Sequence, residues 1–132
     1  MEHGRILVLA NCGLFVAFGL CFALAPERIA LLLTDSSPAT PSAITDMRAT
    51  YGGMALGLAT IFWLCARKEA YVRLGVQGVL AVMVALALTR TLGMLVDTAP
   101  NIFMFVLLAA EGVMALLALV VLSDMKDEQA RQ

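Results

Sequence analysis

Arg48, Arg90 and Glu111 stand inside stretches that are otherwise apolar, with Tyr51 and Asp97 nearby in the chain. Residues of these types can do three kinds of chemistry. Guanidinium groups and a phenol can hold a polar headgroup by directed hydrogen bonds. A carboxyl group inside a membrane can serve alternating binding of a proton and a substrate. The same carboxyl can act as a general acid/base while arginines stabilise developing negative charge. Other apparatus is missing from the sequence. His3 is the only histidine and sits in the N-terminal tail, so no metal site and no histidine-based triad is expected. Cys12, Cys21 and Cys65 are spaced for neither a disulfide framework nor a zinc site, and are expected to be buried packing thiols. The glycines after Tyr51 are no phosphate loop, since no strand precedes them and no Gly-Lys-Ser follows. No cofactor is expected.

The elements that position these groups follow from composition. The chain has 132 residues, 61% hydrophobic and 14% charged, with a mean hydropathy of +0.91. Soluble domains are about 45–50% apolar and about 25% charged, so both departures point toward lipid. A net charge of −1 leaves no basic stripe, and nucleic acid is not an expected partner. One domain is expected at this length. Four segments reach the roughly 20 apolar residues that a membrane-crossing helix needs: 6–24, 49–66, 74–96 and 102–122. No strand-like alternation occurs, and an open sheet cannot cross lipid. The expected fold is all-α, an integral membrane bundle of four transmembrane helices. Pro26 opens a short amphipathic helix lying along the interface after the first span. The stretch from Thr34 to Ser42 reads as the one real loop, Arg67 to Arg73 as a tight charged hairpin, and Asp97 to Asn101 as a second turn with a helix start at Pro100. The polar tail from Ser123 is expected to fray. Arg5, the apolar run and Ala23 to Ala25 imitate a cleavable signal, but the run is too long and Pro26 is a poor neighbour for cleavage. The segment is therefore expected to stay as the first span.

Lysine and arginine set the direction. Arg5, Arg67, Lys68, Arg73, Lys126 and Arg131 fall on one side and Arg28 on the other, so both termini are expected to be cytoplasmic. At about 1.5 Å of rise per residue, Arg48 lies near the outer interface and Tyr51 a turn deeper. Arg90 is then roughly one turn short of the outer surface, and Asp97 lies on the same face two turns further out. Glu111 is about 13 Å down from the start of its span, near mid-membrane. Each such charge costs about 2.5–3.5 kcal/mol on insertion scales. Charges of this kind pair with one another or line a wet cavity. Arg48, Tyr51, Arg90, Asp97 and Glu111 are thus expected to converge on an outward-facing polar pocket. The plainer alternative has both arginines snorkelling to headgroups and Glu111 bonding a neighbouring helix. Ala49, Gly53 and Gly57 recur every four residues as a flat face for helix packing, which Gly52 widens; Gly93 is assigned the same role. Asn11 is expected to bond a neighbouring helix away from the pocket.

The order of these motifs carries a resemblance. "APE" follows the first span, "RATYGGMALGLA" opens the second, "LTRTLGMLVD" closes the third, and "AAEGVMALLAL" occupies the middle of the fourth. In this the chain resembles the bacterial family of domain of unknown function 4345, small four-span membrane proteins, from about Arg5 to Leu122. The resemblance implies the fold and a bacterial inner-membrane location, and marks Arg48, Tyr51, Gly52, Gly53, Gly57, Arg90, Gly93, Asp97 and Glu111. It implies no activity. From the residues, the expected partners are membrane lipid and a small amphiphilic ligand or a membrane-protein partner. A homo-oligomeric proton-coupled transporter, or an intramembrane enzyme built on Glu111, is the alternative.

Overall fold

The structure is a computed structural model that describes residues 2–97 and 100–130, with side chains described as far as Lys126. Among the described residues every regular element is helical. They are α1 (Glu2–Leu24), α2 (Pro26–Thr34), α3 (Pro41–Met47), a π-helical turn (Arg48–Gly53), α4 (Met54–Arg67), α5 (Glu69–Val96) and α6 (Ile102–Ala130). Four helical runs are long and apolar enough to cross a membrane: Glu2–Leu24, Pro41–Arg67, Glu69–Val96 and Ile102–Lys126. The shortest of them, 23 residues, spans about 35 Å, enough for a hydrocarbon core of about 30 Å.

Local chemistry sets the boundaries. Ala25 alone separates α1 from Pro26, the first residue of α2, and Asp35 closes α2 in the left-handed conformation with φ 55°. Thr40 caps α3 by accepting a hydrogen bond from the Ala43 N–H at 3.2 Å, with Pro41 in the first turn. The second crossing run therefore begins eight residues before the apolar stretch itself, because its cap and proline lie there. Lys68 alone, extended at φ −121° and ψ 126°, separates α4 from α5, so the charged hairpin is tighter than the sequence suggests. At that corner Arg67 lies 4.7 Å from the Trp63 ring and Lys68 5.8 Å from the Tyr71 ring, cations over aromatic faces. The tail does not fray at Ser123. Helix α6 runs on to Ala130, and Met125 is buried. The α6 N-terminus begins at Ile102 rather than Pro100, with Asn101 as its cap. Thr98 and Ala99, in the turn before it, and Arg131, counted in the charge balance, lie outside the described residues.

Packing is concentrated at one end of the bundle. Val8, Val72, Val76 and Val79 are almost fully buried there with Phe62, Cys65, Ala118 and Met125. Gly75 lets α5 close on α1 and α4, since a Cβ at that position would come within 3.0 Å of both Cys65 and Val8. Beyond Met83 no residue of α5 is buried. At the other end α1 instead packs on the second run: a Cβ on Gly19 would meet Leu56 at 2.8 Å and the Gly52 carbonyl oxygen at 3.0 Å. Three hydroxyls that face outward are satisfied within their own helices. Thr60, Thr89 and Thr91 donate to the carbonyls of Leu56, Ala85 and Ala87 at 2.7–2.9 Å, which lowers the cost of placing these three hydroxyls in hydrocarbon. Of the three cysteines only Cys65 is buried; Cys12 is half-buried with its thiol on the Ala59 carbonyl, and Cys21 is exposed, contrary to the expectation of three buried thiols.

Candidate functional site

Arg90 and Glu111 face each other from α5 and α6, the two helices that run antiparallel after the Asp97 turn. Arg90 donates from Nε to both carboxylate oxygens, at 3.1 Å to Oε1 and 3.0 Å to Oε2, and from Nη2 to Oε1 at 2.6 Å. Multiple charge-assisted bonds of this kind fix both side chains. The Glu111 side chain is 8% exposed and that of Arg90 is 21% exposed. Glu111 therefore ends inside the bundle wall while Arg90 keeps one edge open.

That edge faces a cavity of about 430 Å³ lined by Thr34, Asp35, Arg90, Gly93, Met94, Asp97, Pro100, Asn101 and Met104. The Nη1 of Arg90 meets only the Met104 thioether, at 3.4 Å, a weak acceptor for a strong donor. The far wall comes from the first half of the chain. Asn101 donates from Nδ2 to the Leu33 carbonyl at 2.9 Å and to Asp35 Oδ2 at 2.8 Å, while its Oδ1 caps the Met104 N–H at 3.3 Å. One amide thus ties the end of α2 to the start of α6. The Asp97 backbone N–H closes α5 on the Gly93 carbonyl at 2.7 Å. Among the described residues the Asp97 carboxylate has no hydrogen-bond partner. A Cβ on Gly93 would sit 3.7 Å from it, so Gly93 is a part of the cavity surface and not a tight helix contact.

The structure thus pairs Arg90 with Glu111 and sets Arg90 and Asp97 around one cavity. It does not bring Arg48 or Tyr51 to them. Both are exposed on the π-helical turn, which packs chiefly on α1. Tyr51 lies against Phe22 with ring centroids 5.1 Å apart. The reason is rotational. The widened turn, in which the Met54 N–H reaches back to the Ala49 carbonyl, presents Gly52 to Ala23 of α1, where a Cβ would come within 2.9 Å of backbone nitrogen. With Gly52 facing inward, its neighbours Tyr51 and Gly53 turn away. Gly53 and Gly57 consequently make no close helix contact within the chain; nothing lies within 4 Å of a Cβ on Gly57. Of the four glycines expected to pack helices, Gly52 alone does so here.

Sequence reasoning missed Asp35, Asn101 and Met104. The signal was present in topology: the Thr34 loop and the Asp97 turn emerge at the same end of a four-helix bundle, so their polar residues are neighbours. Asn11, fully buried, donates to its own helix at the Leu7 carbonyl at 3.0 Å and approaches Met114 Sδ of α6 at 3.9 Å, while its Oδ1 has no partner. Among the described residues no group of three or more histidine, cysteine, aspartate or glutamate side chains could hold a metal.

Comparison with known proteins adds one match. The sequence model described as Domain of unknown function (DUF4345) matches residues 4–122. Neither a curated protein nor a solved structure matches the chain. The match takes in all four apolar helices together with the Arg90–Glu111 pair, and the chain belongs to the family of domain of unknown function 4345.

Proposed function

We propose that this membrane protein is a binding module whose polar pocket, floored by the Arg90–Glu111 pair, receives the headgroup of a lipid or other small amphiphile. The observation that carries this reading is the unspent donor edge of Arg90 facing a cavity of about 430 Å³ at one end of an apolar bundle. That volume falls within the roughly 300–1,000 Å³ of small-molecule sites. By the lysine and arginine balance the pocket faces outward from a bacterial inner membrane, with both termini cytoplasmic. Docking of a membrane-protein partner over the same opening is the second form of this reading, favoured by carboxylates at the rim.

Proton-coupled transport and acid/base catalysis are less well supported by the geometry. Both need a carboxyl free to exchange a proton. Here the guanidinium of Arg90 engages both Glu111 oxygens. The test is to purify the protein in mild detergent and identify co-purifying lipid by mass spectrometry, beside Arg90→Gln. Wild type should carry a specific lipid that Arg90→Gln has lost. The same lipid profile in both proteins would defeat the proposal.

A further inference from the structure

We infer that the headgroup taken by this pocket is zwitterionic, an anionic oxygen set deep and a primary ammonium set shallow, as in a phosphoethanolamine lipid. The inference rests on the binding-module reading above and adds the chemistry of the ligand. It comes from which charges line the cavity and at what depth.

Among the described residues Arg90 is the one cationic side chain lining the cavity, and its charge is already matched by Glu111 behind it. Asp35 and Asp97 line the same cavity. The pocket as a whole is therefore acidic, by two carboxylates over a neutral pair. A purely anionic headgroup would meet two like charges at the entrance. A purely cationic ligand would satisfy those carboxylates but leave Arg90 Nη1 donating to a thioether. A ligand carrying both charges satisfies both ends.

Depth fixes the order. Asp97 caps the end of α5 seven residues after Arg90, about 10 Å along the axis at the backbone. Its carboxylate folds back to 3.7 Å from the place of a Cβ on Gly93, so the charged groups are closer in depth than their backbones. Asp35 closes α2 at the level of Asn101, the cap of α6, so both carboxylates lie at the mouth and the guanidinium lies below. A phospholipid carries its phosphate nearer the hydrocarbon and its amine further out, the same order. A long guanidinium stem shortens the gap between the two levels. The rim also prefers N–H donors over a quaternary ammonium. The Asp97 carboxylate has no hydrogen-bond partner among the described residues, and Asp35 has one oxygen beyond the one that accepts from Asn101. A primary ammonium brings three donors, whereas a trimethylammonium brings none.

The experiment measures thermal protection of the purified full chain in detergent by phosphatidylethanolamine, phosphatidylglycerol and phosphatidylcholine of identical acyl chains. Phosphatidylethanolamine should protect at concentrations about tenfold lower than either of the others, the effect of roughly one charge-assisted hydrogen bond. In Asp97→Asn and Asp35→Asn that preference should shrink, with the response to phosphatidylglycerol unchanged or improved. Both positions are exposed, and asparagine tolerates the left-handed backbone at position 35, so folding is not at stake. Glycerophosphoethanolamine, the headgroup without chains, should protect only at far higher concentration; equal potency would overturn the assignment to a lipid. If phosphatidylglycerol protects as well as phosphatidylethanolamine and Arg90→Gln abolishes both, the zwitterion inference fails while the binding reading stands. If no lipid protects in an Arg90-dependent way, the binding reading itself fails and takes the inference with it.

Discussion

At the scale of the residue, one guanidinium and one carboxylate, those of Arg90 and Glu111, carry the site. Each alone would be a costly guest in hydrocarbon, and together they neutralise one another at hydrogen-bond distance. Removing one partner leaves an uncompensated ion, which costs roughly 3–5 kcal/mol in buried pairs. Removing both leaves none. Glu111→Gln and Arg90→Gln should each lower the unfolding temperature in detergent substantially, and the double change should cost less than the sum of the two. Strict additivity in that cycle would mean that the pair makes no energetic connection. Arg48→Gln, on an exposed turn, should change stability by less than about 0.5 kcal/mol. The sequence made the need for pairing legible, because depth along a helix follows from rise per residue. It could not choose between Arg48 and Arg90 as the partner of Glu111. That choice depends on the rotation of each helix about its own axis, and the apolar residues around these positions offer no strong amphipathic stripe to read it from.

At the scale of the element, the π-helical turn decides which glycines matter. A widened turn shifts the register of everything after it, so a four-residue repeat of small residues need not face one neighbour throughout. Gly52 touches α1 and Gly57 touches nothing within the chain. Alanine is the better helix former by about 1 kcal/mol. At Gly57 that gain is unopposed, and Gly57→Ala should leave stability unchanged or raise it. At Gly52 the added methyl meets the Ala23 backbone, which cannot rotate aside, and Gly52→Ala should lower stability despite the same gain in propensity. Chemical or thermal unfolding of the two variants side by side reads the difference, and equal behaviour would refute the packing assigned to α1 and the π-helical turn. A second element-level consequence concerns α2. Asn101 holds it through two hydrogen bonds, so Asn101→Ala should loosen the segment around Leu33 and Asp35, seen as faster proteolysis in the 35–40 connection. The four spans, a charged turn within 67–73 and the short helix after Pro26 were legible from apolar run lengths and prolines; the narrowing of that turn to Lys68 alone was not. The extension of α6 past Ser123 was not, because it depends on Met125 reaching Gly4 of α1, a contact of high sequence separation.

At the scale of the whole molecule, the two ends of the bundle differ in what they bury. One end carries the valine core, the Lys68 corner and the start of α1, with a cavity of about 380 Å³ lined by Glu2, Arg5, Ala66, Glu69 and Val72; the other carries the Asp35 and Asp97 connections around the cavity of about 430 Å³. The buried Arg90–Glu111 pair distinguishes the second end. Direction in the membrane is the remaining global property. A single cysteine introduced at Ser37 in a variant lacking Cys12, Cys21 and Cys65 should react with an impermeant thiol reagent added outside intact cells, and one at Lys68 should not. The reverse pattern would put the cavity on the inner face. Arg90, and not Arg48, is the arginine that a ligand in this cavity would meet. The most direct test of this is lipid-induced thermal protection measured in wild type, Arg48→Gln and Arg90→Gln under identical conditions. Wild type and Arg48→Gln should be protected alike and Arg90→Gln not at all; protection that survives in Arg90→Gln, or disappears in Arg48→Gln, would contradict it.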